Sequence, residues 1–260
     1  MLMAAANSQQ VAAAFGSARN YSVNAGIQRI VAAELAERIA AVELPSAPRI
    51  LEIGCGTGFL TQQLLERGVV GEWLITDKSP GMVQRCRDVV GAAPGRAFAV
   101  LDGEYGMGDH TGEYDLICAS MAMQWFGDLG AATGRLVQKL APGGHLLFNT
   151  LASGTFKEWR AAHFASGQGD GAIAFPSVSV LQGVMTQFAP AAFTVSAHQE
   201  AHRDAREFMT RLKLIGAATA RSDHRPLGPG ALKQVMARFD AEGAAVTYEV
   251  VTCHIVRGDA

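Results

Sequence analysis

The sequence predicts an α/β domain on a mostly parallel sheet, and three observations carry that prediction. Short apolar segments alternate with helix-period segments from residue 27 to residue 151. The first apolar segment runs straight into a glycine-rich loop, and the next two each end on an aspartate. Strands separated by helices of this length require right-handed crossovers, so neighbouring strands run parallel.

In chain order, Ile27, Ile30, Val31, Leu35 and Ile39 recur at three- and four-residue spacings and form one apolar helical face, which Pro45 and Pro48 stop. Residues 49–53 read as a buried strand ending in Gly54-Cys55-Gly56-Thr57-Gly58. Phe59, Leu60, Leu64 and Leu65 then give a helix closed near Gly68. The unit recurs as strand 72–76 with Asp77 at its end, helix 79–90, and strand 97–101 ending at Asp102. Strand 114–119 and helix 128–140 follow, and Pro142-Gly143-Gly144 turns into the apolar strand 145–151. Beyond Leu151, Gly154, Gly167, Gly169 and Gly171 flank a weak helix carrying Phe156 and Trp159, read as an irregular cover over the site. Segments 193–197 and 246–256 are strand-like and should finish the sheet as a hairpin, with helices at 204–217 and 229–240 between them.

Composition narrows the function classes. A chain of 260 residues with 49% hydrophobic residues supports one domain, or one with a cap, while 18% charged residues and a net charge of −2 argue against disorder and against general nucleic-acid binding. Cys55, Cys86, Cys118 and Cys253 lie far apart, which indicates neither a metal site nor a disulfide framework and suits a reducing compartment. The opening residues lack a basic region followed by a continuous apolar one, and no later stretch approaches 18 uninterrupted apolar residues, so the expected location is the cytoplasm, without a membrane span.

The loop 54–58 carries the chemistry. Glycines permit positive φ and close approach of a ligand to the backbone, and the amides at the following helix start can receive a polar group. A dinucleotide fingerprint would place its third glycine at Phe59, whereas Gly58 stands one place early, which disfavours nicotinamide and flavin cofactors. Asp77, 19 residues beyond Gly58, is positioned to accept both hydroxyls of an unphosphorylated ribose, and Asp102 could accept an adenine amino group beside the Gly103 backbone. Alone, a glycine loop is often only a tight turn and an aspartate after a strand often a helix cap; together, in this order, they point to an adenosyl ligand.

Glu52 before G-x-G-x-G, then Asp77, Asp102 and an open fourth strand, resemble the class I S-adenosylmethionine-dependent methyltransferases over roughly residues 45–151. The resemblance implies a Rossmann-like, seven-stranded, mostly parallel sheet with one antiparallel strand, helices on both faces and a helical cover. It implies S-adenosylmethionine as cofactor, with Glu52, Gly54, Cys55, Gly56 and Gly58 near its methionine part and Gln28, Lys78, Met82 and Ser120 as further neighbours. The implied layout is an N-terminal cover (1–44), a cofactor core (45–151), cover segments (152–191 and 203–240) and a C-terminal hairpin (192–202 and 245–257).

The fourth strand opens into Ser120-Met121-Ala122-Met123-Gln124-Trp125-Phe126, an apolar stretch carrying one amide, where Gln124 and Trp125 are substrate candidates. No N/D-P-P-Y tetrapeptide occurs, which weakens amide or adenine N-methylation and leaves a carboxylate or carbon acceptor. A narrower resemblance then covers nearly the whole chain. Residues 15–21 with Gln28, Met123-Gln124-Trp125, Phe148-Asn149-Thr150 with Gly154-Thr155, Phe175-Pro176-Ser177, Leu214-Ile215-Gly216-Ala217 and Thr247-Tyr248-Glu249-Val250 look like the malonyl-acyl-carrier-protein O-methyltransferases of biotin synthesis, the BioC family. Glu52 stands for the usual loop aspartate, Asn149 for a commoner serine, and Ala218 for a frequent asparagine.

This resemblance implies methylation of the free carboxylate of a malonyl thioester on acyl carrier protein, with Tyr21 and Phe175 lining the acceptor site and the Tyr21 hydroxyl orienting a carboxylate oxygen. Carrier proteins are acidic, and residues 202–225 hold Arg203, Arg206, Arg211, Lys213, Arg221 and Arg225 against Asp204, Glu207 and Asp223, a net +3 in a chain of net −2. Arg203 and Arg206 are therefore carrier-docking candidates, although a solvated helix face has the same composition. Nucleic acid is not expected there, because aromatic interleaving is missing. Two other readings remain open: a methyltransferase for a free polycarboxylate of the trans-aconitate type, and a cofactor-binding protein without turnover.

Overall fold

The fold is seen in a computed structural model that describes residues 26–105, 112–170, 172, 174–188, 190–214 and 226–258. Helix α1 (Gly26–Ala40) leads into β1 (Arg49–Ile53), α2 (Phe59–Glu66), β2 (Glu72–Asp77), α3 (Pro80–Val90) and β3 (Arg96–Val100). Strand β4 (Tyr114–Ala119), a 3-10 turn (Met123–Trp125), α4 (Leu129–Val137) and β5 (Leu140–Leu151) complete the first half. Then come α5 (Lys157–Ala165), α6 (Val178–Met185), β6 (Ala191–Ala201), α7 (Ala205–Leu214), α8 (Pro229–Ala241) and β7 (Ala245–Val256). The seven strands form one sheet in the order β3-β2-β1-β4-β5-β7-β6, with β7 antiparallel to both its neighbours and the other pairs parallel.

The central strands are buried on both faces, as their unbroken apolar runs require. Ile50 of β1 packs with Leu35, Ile39 and Leu64 of α1 and α2 on one side, while Leu51 and Ile53 join Leu136 of α4 and Met185 of α6 on the other. A third cluster lies between the ends of β5 and β7 and the helices that follow β5. There Ile27 and Val31 of α1 meet Phe156, Trp159, Phe208, Phe239 and Tyr248, whose rings contact one another mostly edge to face. Each such pair contributes about 1 kcal/mol beyond burial, so the segments after β5 form a packed helical layer.

Three elements differ from the sequence expectation. Helix α4 stops at Val137 and Leu140 already pairs with Tyr114, so Pro142-Gly143-Gly144 forms a bulge inside β5 and not the turn before it; the register resumes at Leu116 with His145. Helix α6 occupies part of the expected irregular cover, because Ser177 caps it by accepting the Val180 amide and Leu181 and Met185 are fully buried. Strand β6 is longer than expected, pairing with β7 continuously from Ala191 with Ile255 to Ala201 with Ala245.

Candidate active site

Parallel strands end together, so the tips of β1, β2, β3 and β4 meet on one edge of the sheet. A cleft opens there, lined by α1, the loop after β1, and the residues following β2, β3 and β4.

Gly54, Gly56 and Gly58 all adopt positive φ, at 69°, 54° and 89°. A Cβ on Gly54 would fall 2.4 Å from that of Ala122, so the glycine loop and the β4 exit touch without room for a methyl group. The loop is also fixed to β2. Asp77 Oδ2 accepts the Gly56 amide at 2.9 Å and its Oδ1 accepts the Ser79 amide at 2.8 Å. Burial pushes the Asp77 carboxyl up from its ordinary value, and these two amide donors oppose the push. Each carboxylate oxygen keeps lone-pair capacity for a ligand.

Glu52 lies beneath the loop, 1% exposed and on the cleft wall, accepting a 2.6 Å hydrogen bond from the Thr61 hydroxyl. Burial raises its carboxyl to about 7, with the nearby Asp77 charge adding to the rise and Thr61 opposing it. A cationic group in the cleft would therefore find a carboxyl on the verge of ionising. A hydrogen bond with Cys86, with burial behind it, holds the Cys55 thiol well above its usual range, so this loop cysteine is a wall and not a nucleophile.

The other predicted residues separate into wall and support. Gln28, Lys78, Met82, Asp102, Gly103, Ser120 and Trp125 line the cleft with Glu52, Gly54, Cys55, Gly56 and Asp77. Lys78 forms an ion pair with Asp102, whose other oxygen accepts the Glu104 amide at 3.2 Å. Gly58 stands behind the wall as the left-handed start of α2, where a Cβ would meet the Cys86 sulfur at 3.1 Å. Gln124 also stands behind it, donating from Nε2 to the Met121 carbonyl at 2.6 Å with its own carbonyl oxygen buried and unpartnered. Phe175 is half-buried against the aromatic cluster beside Met121, and Arg203 and Arg206 are exposed at and before the start of α7. Tyr21, Arg221 and Arg225 lie outside the described residues.

Several cleft residues were not predicted as site residues. Phe59 lines the cleft and carries the Arg29 guanidinium over its ring at 4.6 Å. Glu104 accepts the Gly127 and Asp128 amides at 2.9 and 3.0 Å and so ties the β3 exit to the start of α4. Neither role has a sequence signal. Met121 lines the cleft with φ 52°, a conformation that costs a non-glycine residue about 1–3 kcal/mol. Two polar wall atoms, Gln28 Oε1 and Thr57 Oγ1, are buried without a partner among the described residues. Such atoms are suited to a polar ligand.

Known proteins resemble this chain over the same regions. A family model described as a methyltransferase domain matches residues 25–188. The biotin biosynthesis bifunctional protein BioCD of Bordetella avium is 42% identical over 233 residues, covering 90% of this chain and 49% of that protein. This chain thus spans about half the length of that relative. The malonyl-[acyl-carrier protein] O-methyltransferase of Magnetococcus marinus is 38% identical over 240 residues, covering 91% of this chain and 88% of that protein. Among solved structures, the YcgJ protein of Bacillus subtilis superposes with a TM-score of 0.60 at 14% identity, covering 87% of this chain and 98% of that one. The plantazolicin methyltransferase BpumL, in complex with SAH, superposes at 0.52 and 13% identity, covering 96% and 95%. These two share the fold.

Proposed function

The chain belongs to the malonyl-acyl-carrier-protein O-methyltransferase family, and on that premise we propose that it methylates the free carboxylate of a malonyl thioester on acyl carrier protein, drawing the methyl group from S-adenosylmethionine. The methyl ester masks the charged end of the acceptor, which lets fatty-acid synthesis extend the chain toward biotin.

The observation that carries this reading is that family-like segments far apart in sequence interlock beside the cleft. Ser153 donates its amide to the Pro176 carbonyl at 2.9 Å, Gly154 to Glu249 Oε2 at 2.8 Å, and Phe156 to the Thr247 carbonyl at 2.7 Å. A Cβ on Gly154 would sit 2.8 Å from the Glu249 carboxyl, so the glycine and the glutamate depend on each other. A generic cofactor core would not call for these pairings.

The wall residues fit the proposed cofactor. Gln28 Oε1 and Thr57 Oγ1 offer polar atoms without a partner among the described residues, Glu52 offers a buried carboxyl, raised to about 7, whose ionised form a cation beside it would favour, and Asp77 offers remaining lone pairs for ribose hydroxyls. When bound, S-adenosylmethionine supplies an electrophilic methyl group on a sulfonium. A malonyl carboxylate is already ionised at neutral pH, so the chain need not provide a base; alignment and exclusion of water are what remain. Trp125, Phe126, Met121 and Ala122 give the cleft an apolar wall after β4, which lowers the local dielectric where the two charges meet. Tyr21 and Phe175 complete the acceptor site, the tyrosine hydroxyl orienting one carboxylate oxygen, and Arg203 and Arg206 meet the acidic carrier.

Rates of labelled methyl transfer onto malonyl-carrier protein, malonyl-coenzyme A and free di- and tricarboxylates test the proposal. Carrier-linked malonate should be methylated fastest. Preference for a free tricarboxylate would make the chain a small-molecule enzyme, and labelled cofactor that binds without transfer would make it a binding protein.

A further inference from the structure

We propose that Asn149 is a positioning residue for methyl transfer: it clamps Met121 in its left-handed backbone conformation and thereby fixes the acceptor-side wall of the cleft to α1. The acceptor's identity rests on the carboxyl-methyltransferase reading; the clamp does not.

Met121 is one of three non-glycine residues with positive φ among the described residues, and it alone of the three lines the cleft. Both of its backbone polar groups are held by side-chain amides. Its N–H donates to Asn149 Oδ1 at 2.7 Å, and its carbonyl accepts from Gln124 Nε2 at 2.6 Å. Asn149 itself is 1% exposed near the C-terminal end of β5, one residue beyond the last β4 pair. Its oxygen also faces the Ser120 hydroxyl at 3.4 Å, while its Nδ2 donates to the Val31 carbonyl of α1 at 3.3 Å. The neighbours dictate the amide's orientation, because donors surround the oxygen and an acceptor faces the nitrogen. One buried side chain thus joins β5, the exit of β4 and the helix that contributes Gln28 and Ala32 to the cleft.

The clamp sits where a small displacement would be felt on both sides. Met121 packs, like Phe175, against the aromatic cluster, and the next residue, Ala122, abuts Gly54 of the glycine loop. Displacing Met121 would move the acceptor wall relative to the cofactor loop, and a transfer that depends on alignment is sensitive to such shifts. A serine at 149 has a shorter side chain with a single proton, and it lacks the second donor that reaches Val31.

The test is a double-mutant cycle on purified enzyme with malonyl-carrier protein, alongside calorimetry with S-adenosylhomocysteine. Asn149→Ala removes the bonds to Met121, Ser120 and Val31 together and should lower kcat/KM for the acceptor at least about tenfold, the loss of the buried Met121 bond alone being of that order, while the product's dissociation constant changes less than about twofold. In a Met121→Gly background, where glycine adopts positive φ without strain, the same substitution should cost less than about threefold. Asn149→Asp keeps an acceptor for Met121 but sets a carboxylate against the Val31 carbonyl, and should fall below wild type in kcat/KM. Equal losses from Asn149→Ala in both backgrounds would overturn the clamp, as would a parallel fall in product affinity. Should wild-type enzyme itself fail on malonyl-carrier protein, the functional reading fails and the clamp is judged by NMR: Asn149→Ala must then shift the Met121 amide and methyl resonances, and unshifted resonances overturn it.

Discussion

Asp77 Oδ2 accepts the Gly56 amide at 2.9 Å, which anchors the glycine loop of β1 to the tip of β2. The same carboxylate is the proposed ribose acceptor, so on that reading loop geometry and ligand recognition share one side chain. Asp77→Ala removes both. Charge-assisted hydrogen bonds of this kind contribute about 1.5–3 kcal/mol each, so product affinity measured by calorimetry should fall about a hundredfold. Asp77→Asn must turn its amide nitrogen toward either Gly56 or Ser79, both donors, and should lose at least about tenfold. Wild-type affinity in the alanine variant would remove Asp77 from the site.

Glu52 gives the enzyme a pH signature. Its carboxyl titrates near 4.5 in the unfolded chain and at about 7 when folded. The folded state therefore holds the proton more tightly, and burying the charge destabilises the protein progressively as pH rises from 4.5 to 7, by up to about 3 kcal/mol above that window. Glu52→Gln removes this penalty. Its thermal midpoint should match wild type near pH 4.5 and exceed it increasingly up to pH 7, with a constant gap beyond. Affinity for the cationic cofactor should move the opposite way, rising in wild type as pH passes 7 and staying flat in the glutamine variant. A pH-independent gap in both measurements would show that Glu52 does not titrate there.

How much of this site was legible in the sequence follows from what each residue depends on. Glu52, Gly54, Gly56, Asp77 and Asp102 were readable because their positions follow from chain order: once strands alternate with helices, their C-terminal ends converge. The Lys78–Asp102 pair, the amide-accepting Glu104 and the support role of Gln124 depend on side-chain reach across the cleft, which spacing does not encode. Asn149 was visible only as a departure from a commoner serine. Helix α6 was hidden because three valines and a glycine in eight residues give weak helix propensity, which its Ser177 cap and the burial of Leu181 and Met185 override. The role expected of Tyr21 falls outside the described residues.

Gly54 and Ala122 make a contact that a single methyl group would break. Gly54→Ala places a Cβ 2.4 Å from that of Ala122 and imposes a φ of 69° on a residue with a side chain. Cofactor binding should be lost, and the thermal midpoint should drop with it. Adding Ala122→Gly removes the clash but not the strained φ, so the pair should recover part of the stability lost by Gly54→Ala. Recovery to full wild-type stability would mean that the left-handed conformation costs nothing here, and no recovery would mean that the clash is absorbed elsewhere.

Arg203 and Arg206, proposed to meet the acidic carrier, are both exposed, with Arg203 just ahead of α7 and Arg206 within its first turn. Neighbouring Arg211 already pairs with Glu200 and Glu207, so its charge is partly neutralised by the fold. Reversing the charge at Arg203 and Arg206 should leave folding intact, since exposed ion pairs contribute at most about 1 kcal/mol. The double variant Arg203→Glu with Arg206→Glu should raise KM for malonyl-carrier protein about tenfold at low salt, with kcat little changed, because the lost interaction acts on encounter and not on transfer. Its deficit should shrink as ionic strength rises and Debye screening shortens the reach of these charges. Turnover of malonyl-coenzyme A, which presents no acidic protein surface, should stay at the wild-type level. An equal loss on both thioesters would move these arginines from carrier docking to the acceptor site, and no loss on either would leave them as a solvated helix end.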